Sequence, residues 1–268
     1  MKHPPFVTLL IVHFHTPKQT LLCLRLLKLN TSISHEIIVI DNSPQEPFGH
    51  YLARIPWITY CPNPQAPSSH RSALDMGVTL ARGKWIAPLH SDTFVLKKGW
   101  LKEILLPRQN YAMIGSWERL VWPVQGIWDK IHCWIKRRRI LRFWAKTGKT
   151  PRWISYFGLF PKDLLEKYQL TFAQKSDDIR DDCGLAIQRF LEANNMPICW
   201  LSREYLSQYL VHFEGASLNA VTKRSLPRKR KKRIQTFYSS PEIQKILSCH
   251  KIDEVPGIPN LEELFSFL

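Results

Sequence analysis

Three short apolar runs near the start of the chain limit the fold more than any other feature of the sequence. They read FVTLLIV at residues 6–12, HEIIVID at 35–41 and WIAPL at 85–89. Runs of this length are typical of strands that are buried on both faces of a sheet. Between them, the spacing of apolar residues predicts helices at 18–30 and 68–82. This alternation predicts an α/β fold, with a mostly parallel sheet flanked by helices.

Weaker patterns predict the remaining elements of the first half. They are a helix near 46–54, a strand at 57–61, a helix near 97–106 and a strand at 111–117. Ser68 or Ser69 is available as the N-cap of the helix at 68–82, and Gly83 is placed to end it. A short helix-prone tail follows residue 234.

Polar residues follow two of the predicted strands at the points where they end. Asp41 ends the second strand, and His90, Ser91 and Asp92 end the fourth. Parallel sheets bind ligands beyond the carboxyl ends of their strands, so these side chains are expected to face one crevice. A carboxylate beside an imidazole suits Mg²⁺ or Mn²⁺ bridging a diphosphate. A single Asp after a strand is more often a turn residue, but the second strand-end Asp favours a site.

Composition limits the class of protein and its partners. A chain of 268 residues that is 44% hydrophobic can form one large domain, or one domain with a smaller appendage. Its net charge of +16 predicts an anionic partner: nucleic acid, nucleotide phosphates or an acidic membrane surface. Six scattered cysteines without a C-x-x-C pair argue against a zinc ribbon and indicate reduced thiols in a cytoplasmic protein. Neither a signal peptide nor a membrane-spanning segment is expected.

Two segments concentrate the basic residues. Residues 117–153 contain six of the ten tryptophans together with ten Lys and Arg. These tryptophans suit sugar stacking in an acceptor site, an anionic membrane interface, or a core beneath solvated charges, and all three interpretations stay open. The second basic segment is 223–233. The chain is thus divided into 1–116, 117–222 and 223–268.

The order of four motifs in the first division resembles the nucleotide-sugar-binding half of family 2 glycosyltransferases with the GT-A fold. The motifs are IVHFHTP at 11–17, VIDNS at 39–43, NPQAPSSHRSALDMGVTLARGKW at 63–85 and LHSDTFVLKKGWL at 89–101. The ordered set is specific, although each motif alone is not. The resemblance implies a nucleoside-diphosphate-sugar donor, a smaller acceptor-side region at 117–222, and a C-terminal helical tail.

The resemblance also implies roles for individual residues at the donor site. The nucleotide would contact Val12, His13, Asp41, Asn42, Ser43, Asn63, Ser69, His70, His90 and Ser91. Within this set Asp41 would accept hydrogen bonds from the base or ribose. Asp92 matches the last residue of the family's D-x-D motif and would bind Mn²⁺ or Mg²⁺. His90 stands where the first Asp of that motif usually is, and Asp75 stands where the family often has Asn.

Two further assignments come from the second half, where the resemblance is looser. Asp182 matches the acidic residue that acts as general base toward the acceptor hydroxyl, with Asp181 as the next candidate. Either Asp could instead only cap a helix. His212, in YLVHFEGAS at 209–217, matches a histidine that binds the metal in some relatives, although a histidine in an apolar strand is commonly a core residue.

The sequence therefore predicts a metal-assisted, inverting transferase that moves a sugar from a nucleoside diphosphate to a glycan or glycolipid hydroxyl. It is expected in the cytoplasm, with residues 117–153 available for peripheral contact with an anionic membrane. One alternative is a nucleic-acid-binding protein that uses the basic segments. A second is a catalytically weak relative that keeps the fold as a scaffold.

Overall fold

A computed structural model describes residues 4–118, 126–148, 150–174, 183–213 and 227–255. The strands are β1 (Val7–His13), β2 (His35–Asp41), β3 (Thr59–Pro62), β4 (Trp85–His90), β5 (Thr93–Val95), β6 (Met113–Gly115), β7 (Gly158–Pro161), β8 (Ile198–Trp200) and β9 (Leu210–His212). The helices are α1 (Pro17–Asn30), α2 (Pro47–Leu52), α3 (His70–Leu80), α4 (Trp100–Leu105), α5 (Gly126–Thr147), α6 (Lys162–Lys167), α7 (Leu185–Ala193), α8 (Arg203–Leu206), α9 (Arg228–Tyr238) and α10 (Pro241–Ser248).

Seven strands form one sheet in the order β3-β2-β1-β4-β7-β6-β8. Strands β1 to β4 are parallel to their neighbours in this group, with β1 between β2 and β4. Strand β7 is antiparallel to both β4 and β6. The sheet is therefore mostly parallel with one reversed strand, which the apolar pattern alone did not predict.

All the elements predicted for the first half are present; the strand at 35–41 has the predicted bounds, and the others have shifted ends. Ser69 is the N-cap of α3, since its Oγ accepts a hydrogen bond from the backbone N–H of Ser72 at 3.1 Å. The helix ends at Leu80 instead of Gly83. Gly83 lies against β1, where an added Cβ would be 2.4 Å from the backbone nitrogen of Thr8. Close approach of two backbone segments is therefore the reason for glycine at this position.

Strands β5 and β9 form a separate two-stranded antiparallel sheet. Thr93 lies directly opposite His212, and the backbone N–H of Phe213 donates to the carbonyl of Asp92 at 3.3 Å. This small sheet brings a segment near residue 212 beside the end of β4.

A buried ion pair holds the C-terminal helices to the rest of the fold. Arg25 on α1 donates to the Asp253 carboxylate, with a 2.9 Å contact from Nε to Oδ1, and both side chains are fully buried. The same guanidinium donates to the carbonyls of Ile246 and Leu247. Removing one partner of such a pair typically costs about 3–5 kcal/mol.

The described tryptophans of 117–153 differ in burial. Trp117 and Trp153 are buried, as the core interpretation expected. Trp128 and Trp134 on α5 are 79% and 53% exposed, so the core interpretation is wrong for them. Within the described ranges, the helices are too short or too polar to cross a bilayer.

Candidate functional site

Three side chains from distant parts of the chain meet beyond the end of β4. His212 Nε2 lies 3.1 Å from Asp92 Oδ1 and 3.3 Å from His90 Nδ1. His90 Nδ1 is 4.0 Å from the same carboxylate oxygen. Asp92 and His212, predicted as metal ligands, are thus brought together, and His90 joins them.

Each of these residues lies in or next to a different strand. His90 is the last residue of β4, Asp92 precedes β5, and His212 is the last residue of β9. Because β5 and β9 pair directly, the positions of Asp92 and His212 are fixed relative to each other. The Thr16 and Ser91 hydroxyls lie 3.1 Å apart, which ties the end of β4 to the start of α1.

Two neighbours of the histidines were missed by sequence reasoning. Ser155 Oγ is 3.1 Å from His90 Nε2, and the Tyr156 ring stacks on His212 with centroids 4.8 Å apart. Tyr156 also donates a hydrogen bond to the carbonyl of Glu118 at 3.0 Å. Neither residue belongs to one of the four motifs at 11–17, 39–43, 63–85 and 89–101. Together they fix the orientation of both imidazoles.

Burial favours the neutral form of His90 and of the neighbouring His70. Desolvation, with His70 and His212 nearby, lowers the pKa of His90 well below its usual 6.5. Desolvation also lowers the pKa of His70 to about 4, against the opposing effect of Asp92. In the described part of the chain, His70 Nε2 and His212 Nδ1 have no hydrogen-bond partner. Neutral imidazole is the form that ligates a metal ion.

The donor set fits a single divalent cation. Octahedral ligands about 2.1 Å from a metal ion lie about 3 Å from their neighbours. The three ligand atoms of His90, Asp92 and His212 are separated by 3.1, 3.3 and 4.0 Å, so small side-chain movements would place all of them on one ion. Two imidazoles and a carboxylate suit Mn²⁺ better than Mg²⁺, which prefers oxygen ligands.

The other strand-end aspartate has different surroundings. Asp41 is fully buried, and its Oδ1 accepts from the backbone N–H of Ser43 at 2.9 Å. Its Oδ2 accepts from the Tyr60 hydroxyl at 2.8 Å. Hydrogen bonds inside the protein therefore occupy both carboxylate oxygens.

The turns after β2 and β3 are joined by amide side chains. Asn63 Nδ2 donates to Asn42 Oδ1 at 2.6 Å, and Asn42 Nδ2 donates to the carbonyl of Ser68 at 2.7 Å. Asn42 and Asn63 are both buried. Of the residues predicted beside them, Ser69 is exposed and His70 half-buried, with the His70 ring edge-on to His90 at 5.1 Å.

The remaining predicted residues divide into buried and undescribed ones. Val12 and His13 are buried, and the His13 carbonyl accepts from the backbone N–H of Asn42 at 2.8 Å. The general-base candidates Asp181 and Asp182 lie outside the described residues. Asp75 accepts hydrogen bonds from the backbone N–H groups of Phe172 and Ala173 at 2.6 and 2.9 Å. These two residues precede Asp181 and Asp182 in the chain.

The two aspartate regions open at the same edge of the sheet. Asp41 on β2 pairs with His13 on β1, and His90 on β4 pairs with Val12, the preceding residue of β1. With β1 between them, the ends of β2 and β4 are about 10 Å apart. That separation leaves room for a nucleotide across the end of β1.

Comparisons with known proteins agree with this architecture. Residues 8–169 match the family model described as glycosyl transferase family 2. The fold is similar to S. aureus TarS 1–349, with TM-score 0.53 and 11% identity over 96% of this chain and 76% of that one. TarS in complex with UDP-GlcNAc gives TM-score 0.51 and 12% identity, over 92% of this chain and 77% of that one. The mannosyltransferase PcManGT from Pyrobaculum calidifontis, in complex with GDP-Man and Mn²⁺, gives TM-score 0.50 and 12% identity, over 99% of this chain and 80% of that one. No curated protein sequence matches the chain significantly.

Proposed function

Since the chain belongs to glycosyl transferase family 2 and is therefore a glycosyltransferase, we propose the reaction that it catalyses. It transfers a sugar from a nucleoside-diphosphate sugar to a hydroxyl group of a glycan or glycolipid, with inversion at the anomeric carbon. The observation that supports this most directly is the cluster of His90, Asp92 and His212 at the carboxyl edge of the parallel strands. An anionic diphosphate needs a cation site at that edge.

The donor lies across the end of β1, between the two strand-end aspartates. Its diphosphate faces Asp92, and its nucleoside lies over the turns that contain Asn42 and Asn63. Asp41, which is fully buried, supports this surface by holding the turn at Ser43. The exposed Ser69 hydroxyl is available to the donor beside this turn.

His90, Asp92 and His212 hold the cation, and Mn²⁺ is the ion that this donor set favours over Mg²⁺. When bound, the ion supplies positive charge beside the departing diphosphate. Ser155 and Tyr156 keep the two imidazoles oriented toward the carboxylate. His90 therefore replaces the usual first aspartate of the motif as a ligand, not only as a neighbour of the nucleotide.

Acceptor activation is assigned to the segment that follows Ala173. Asp182 removes the proton from the acceptor hydroxyl as general base, and Asp181 is the next candidate for this role. Asp75 of α3 supports the assignment. Its carboxylate accepts hydrogen bonds from the backbone of Phe172 and Ala173, and so it holds the start of the segment that leads to Asp181 and Asp182.

A thermal-shift panel with UDP, GDP and dTDP, each with and without Mn²⁺, tests the donor assignment. The matching nucleotide with Mn²⁺ is expected to stabilise the protein by about 2.7 kcal/mol at a hundredfold excess over its dissociation constant. Nucleotide sugars that contain the matching nucleotide are then assayed for sugar release and for transfer to an acceptor. Stabilisation by none of the three nucleotides would contradict the proposal.

Two other results would point to the alternatives. Salt-dependent binding of a random DNA duplex, without stabilisation by any nucleotide, would indicate a nucleic-acid-binding protein. Nucleotide binding without turnover of any donor sugar would indicate a scaffold that has lost catalysis.

A further inference from the structure

Helix α5, the longest described helix, is mostly solvent-exposed, and Cys133 is its only buried residue in the described structure. Twelve large apolar side chains are exposed in the described part of the chain. Seven of them lie on α5: Ile127, Trp128, Ile131, Trp134, Ile135, Leu141 and Phe143. Such concentration on one element is unlike the scattered exposure of single apolar residues on ordinary protein surfaces.

Five of these seven residues form a stripe along one side of α5, and two of the five, Ile131 and Trp134, also line an open cavity beside α8. Residues at i, i+4 and i+7 share a helix face, which places Ile127, Ile131 and Trp134 in one row. Trp128 and Ile135 lie beside this row at the same spacing. We call these five residues the apolar stripe. They occupy the first half of the helix.

The opposite face of α5 packs on the protein. It contains the buried Cys133 and, at helical spacing, Arg137, Ile140 and Trp144, which are partly buried. The Trp144 ring lies edge-on to Trp117, with centroids 4.7 Å apart. The helix is therefore attached along one side, and this attachment turns the apolar stripe toward solvent.

The charge on α5 is strongly positive. Seven basic residues lie on the helix against Asp129: Lys130, Lys136, Arg137, Arg138, Arg139, Arg142 and Lys146. Five of them lie between residues 136 and 142. The Arg138 guanidinium lies over the Trp134 ring, 4.2 Å from its centroid. Basic and aromatic groups are thus adjacent on the exposed surface.

We propose that α5 docks on an anionic lipid bilayer, with the apolar stripe in the headgroup and acyl boundary and the basic residues against lipid phosphates. An exposed helix with isoleucine and tryptophan beside arginine and lysine is the pattern of an interfacial helix. Nucleic acid would satisfy the charges, but Ile127, Ile131 and Ile135 offer nothing to phosphates and do not stack on bases. The apolar stripe therefore favours a bilayer over nucleic acid.

Vesicle flotation of the full chain tests this docking. The protein is expected to float with vesicles of equal parts phosphatidylglycerol and phosphatidylcholine, and to stay behind with phosphatidylcholine alone. At about 1 M salt, where the Debye length falls to about 3 Å, binding should collapse. Equal binding to neutral and anionic vesicles, or binding to neither, would overturn the proposal.

Two variants separate the contributions of the stripe and the charges. R138Q/R139Q/R142Q should weaken vesicle affinity by about 100-fold, and W128S/W134S by about tenfold. The control variants K98Q/K102Q/K245Q and L80S alter exposed residues of the same kinds elsewhere and should stay within about twofold of the original chain.

All four variants change exposed side chains, so their melting temperatures are expected to stay near that of the original chain. An equal loss of binding in the control variants would contradict docking through α5. A duplex DNA that removes the protein from anionic vesicles and binds it more tightly would assign the helix to nucleic acid instead. Donor nucleotide binding should be unchanged in every variant, which separates this proposal from the proposed reaction.

Discussion

The two strand-end aspartates show how one sequence signal leads to two different environments. Asp41 ends β2 with both carboxylate oxygens hydrogen-bonded to Ser43 and Tyr60. Asp92 follows β4 and faces two imidazoles, of which His212 is 3.1 Å away. The first carboxylate is held by hydrogen bonds inside the protein, and the second is the proposed metal ligand. The difference arises because Tyr60 of β3 contacts Asp41, whereas His212 of β9 contacts Asp92.

Replacing Asp92 with Asn is the strongest test of this contrast. The neutral amide removes the only anionic group among the three proposed ligands, so Mn²⁺ affinity should fall at least about 100-fold. Binding is measured by electron paramagnetic resonance of free Mn²⁺, which does not depend on activity. Asp163→Asn, at an exposed position on α6, is the matched control and should leave the affinity unchanged.

Replacing Asp41 with Ala should affect stability instead of metal binding. The substitution leaves the backbone N–H of Ser43 and the hydroxyl of Tyr60 without an acceptor in a buried region. The free energy of unfolding should therefore drop by about 2 kcal/mol, measured by urea denaturation. Tyr60→Phe removes one of these donors and should cost less. If Asp41→Ala weakened Mn²⁺ binding as much as Asp92→Asn, the contrast between the two aspartates would be wrong.

Replacing His90 with Asp sharpens the description of the metal site. An oxygen ligand in place of an imidazole suits Mg²⁺ better, so the ratio of Mn²⁺ to Mg²⁺ affinity should fall by about tenfold. Competition of Mg²⁺ with bound Mn²⁺ measures this ratio. His50→Asp, at an exposed position on α2, is the control. An unchanged ratio in His90→Asp would remove His90 from the ligand set.

The smallest expected effect concerns pH near the Asp41 region. The adjacent His13 and His15 imidazoles hold the pKa of Glu46 at about 2, below its usual value. Glu46 should stabilise the fold above its unfolded pKa of about 4.3, and this contribution should disappear as pH falls toward 2. Because the side chain is partly exposed, Glu46→Gln should cost less than about 1 kcal/mol at pH 7.

Denaturation of both chains across this pH range checks the prediction. The difference between the original chain and Glu46→Gln should be largest near neutral pH and should vanish below pH 2. A difference that grows as the solution becomes more acidic would contradict the assigned direction of the pKa shift.

The sequence predicted the parallel part of the fold because its strands are continuous apolar runs of about seven residues. It also predicted which side chains lie at the strand ends, since this follows from the parallel arrangement. The pairing of β5 with β9 could not be predicted in this way. Each strand has three residues, too few to show a period, and their pairing joins segments more than a hundred residues apart.

The direct neighbours of the proposed ligands were harder to predict than the ligands. Ser155 and Tyr156 contact His90 and His212 because of the route the chain takes into β7. A serine beside a tyrosine has no chemical signature until the fold places histidines next to it. The exposure of Trp128 and Trp134 could not be predicted either, since composition alone does not say which face of a helix packs inward.

The pairing of β5 with β9 makes the proposed metal site depend on a segment late in the chain. His90 and Asp92 lie within the first hundred residues, and the pairing of residues 210–212 with β5 brings His212 to them. A chain that ends before residue 210 would contain all seven strands of the large sheet but only two of the three proposed ligands. We expect such a chain to bind Mn²⁺ more weakly than the full chain, because His212 is missing from the proposed ligand set.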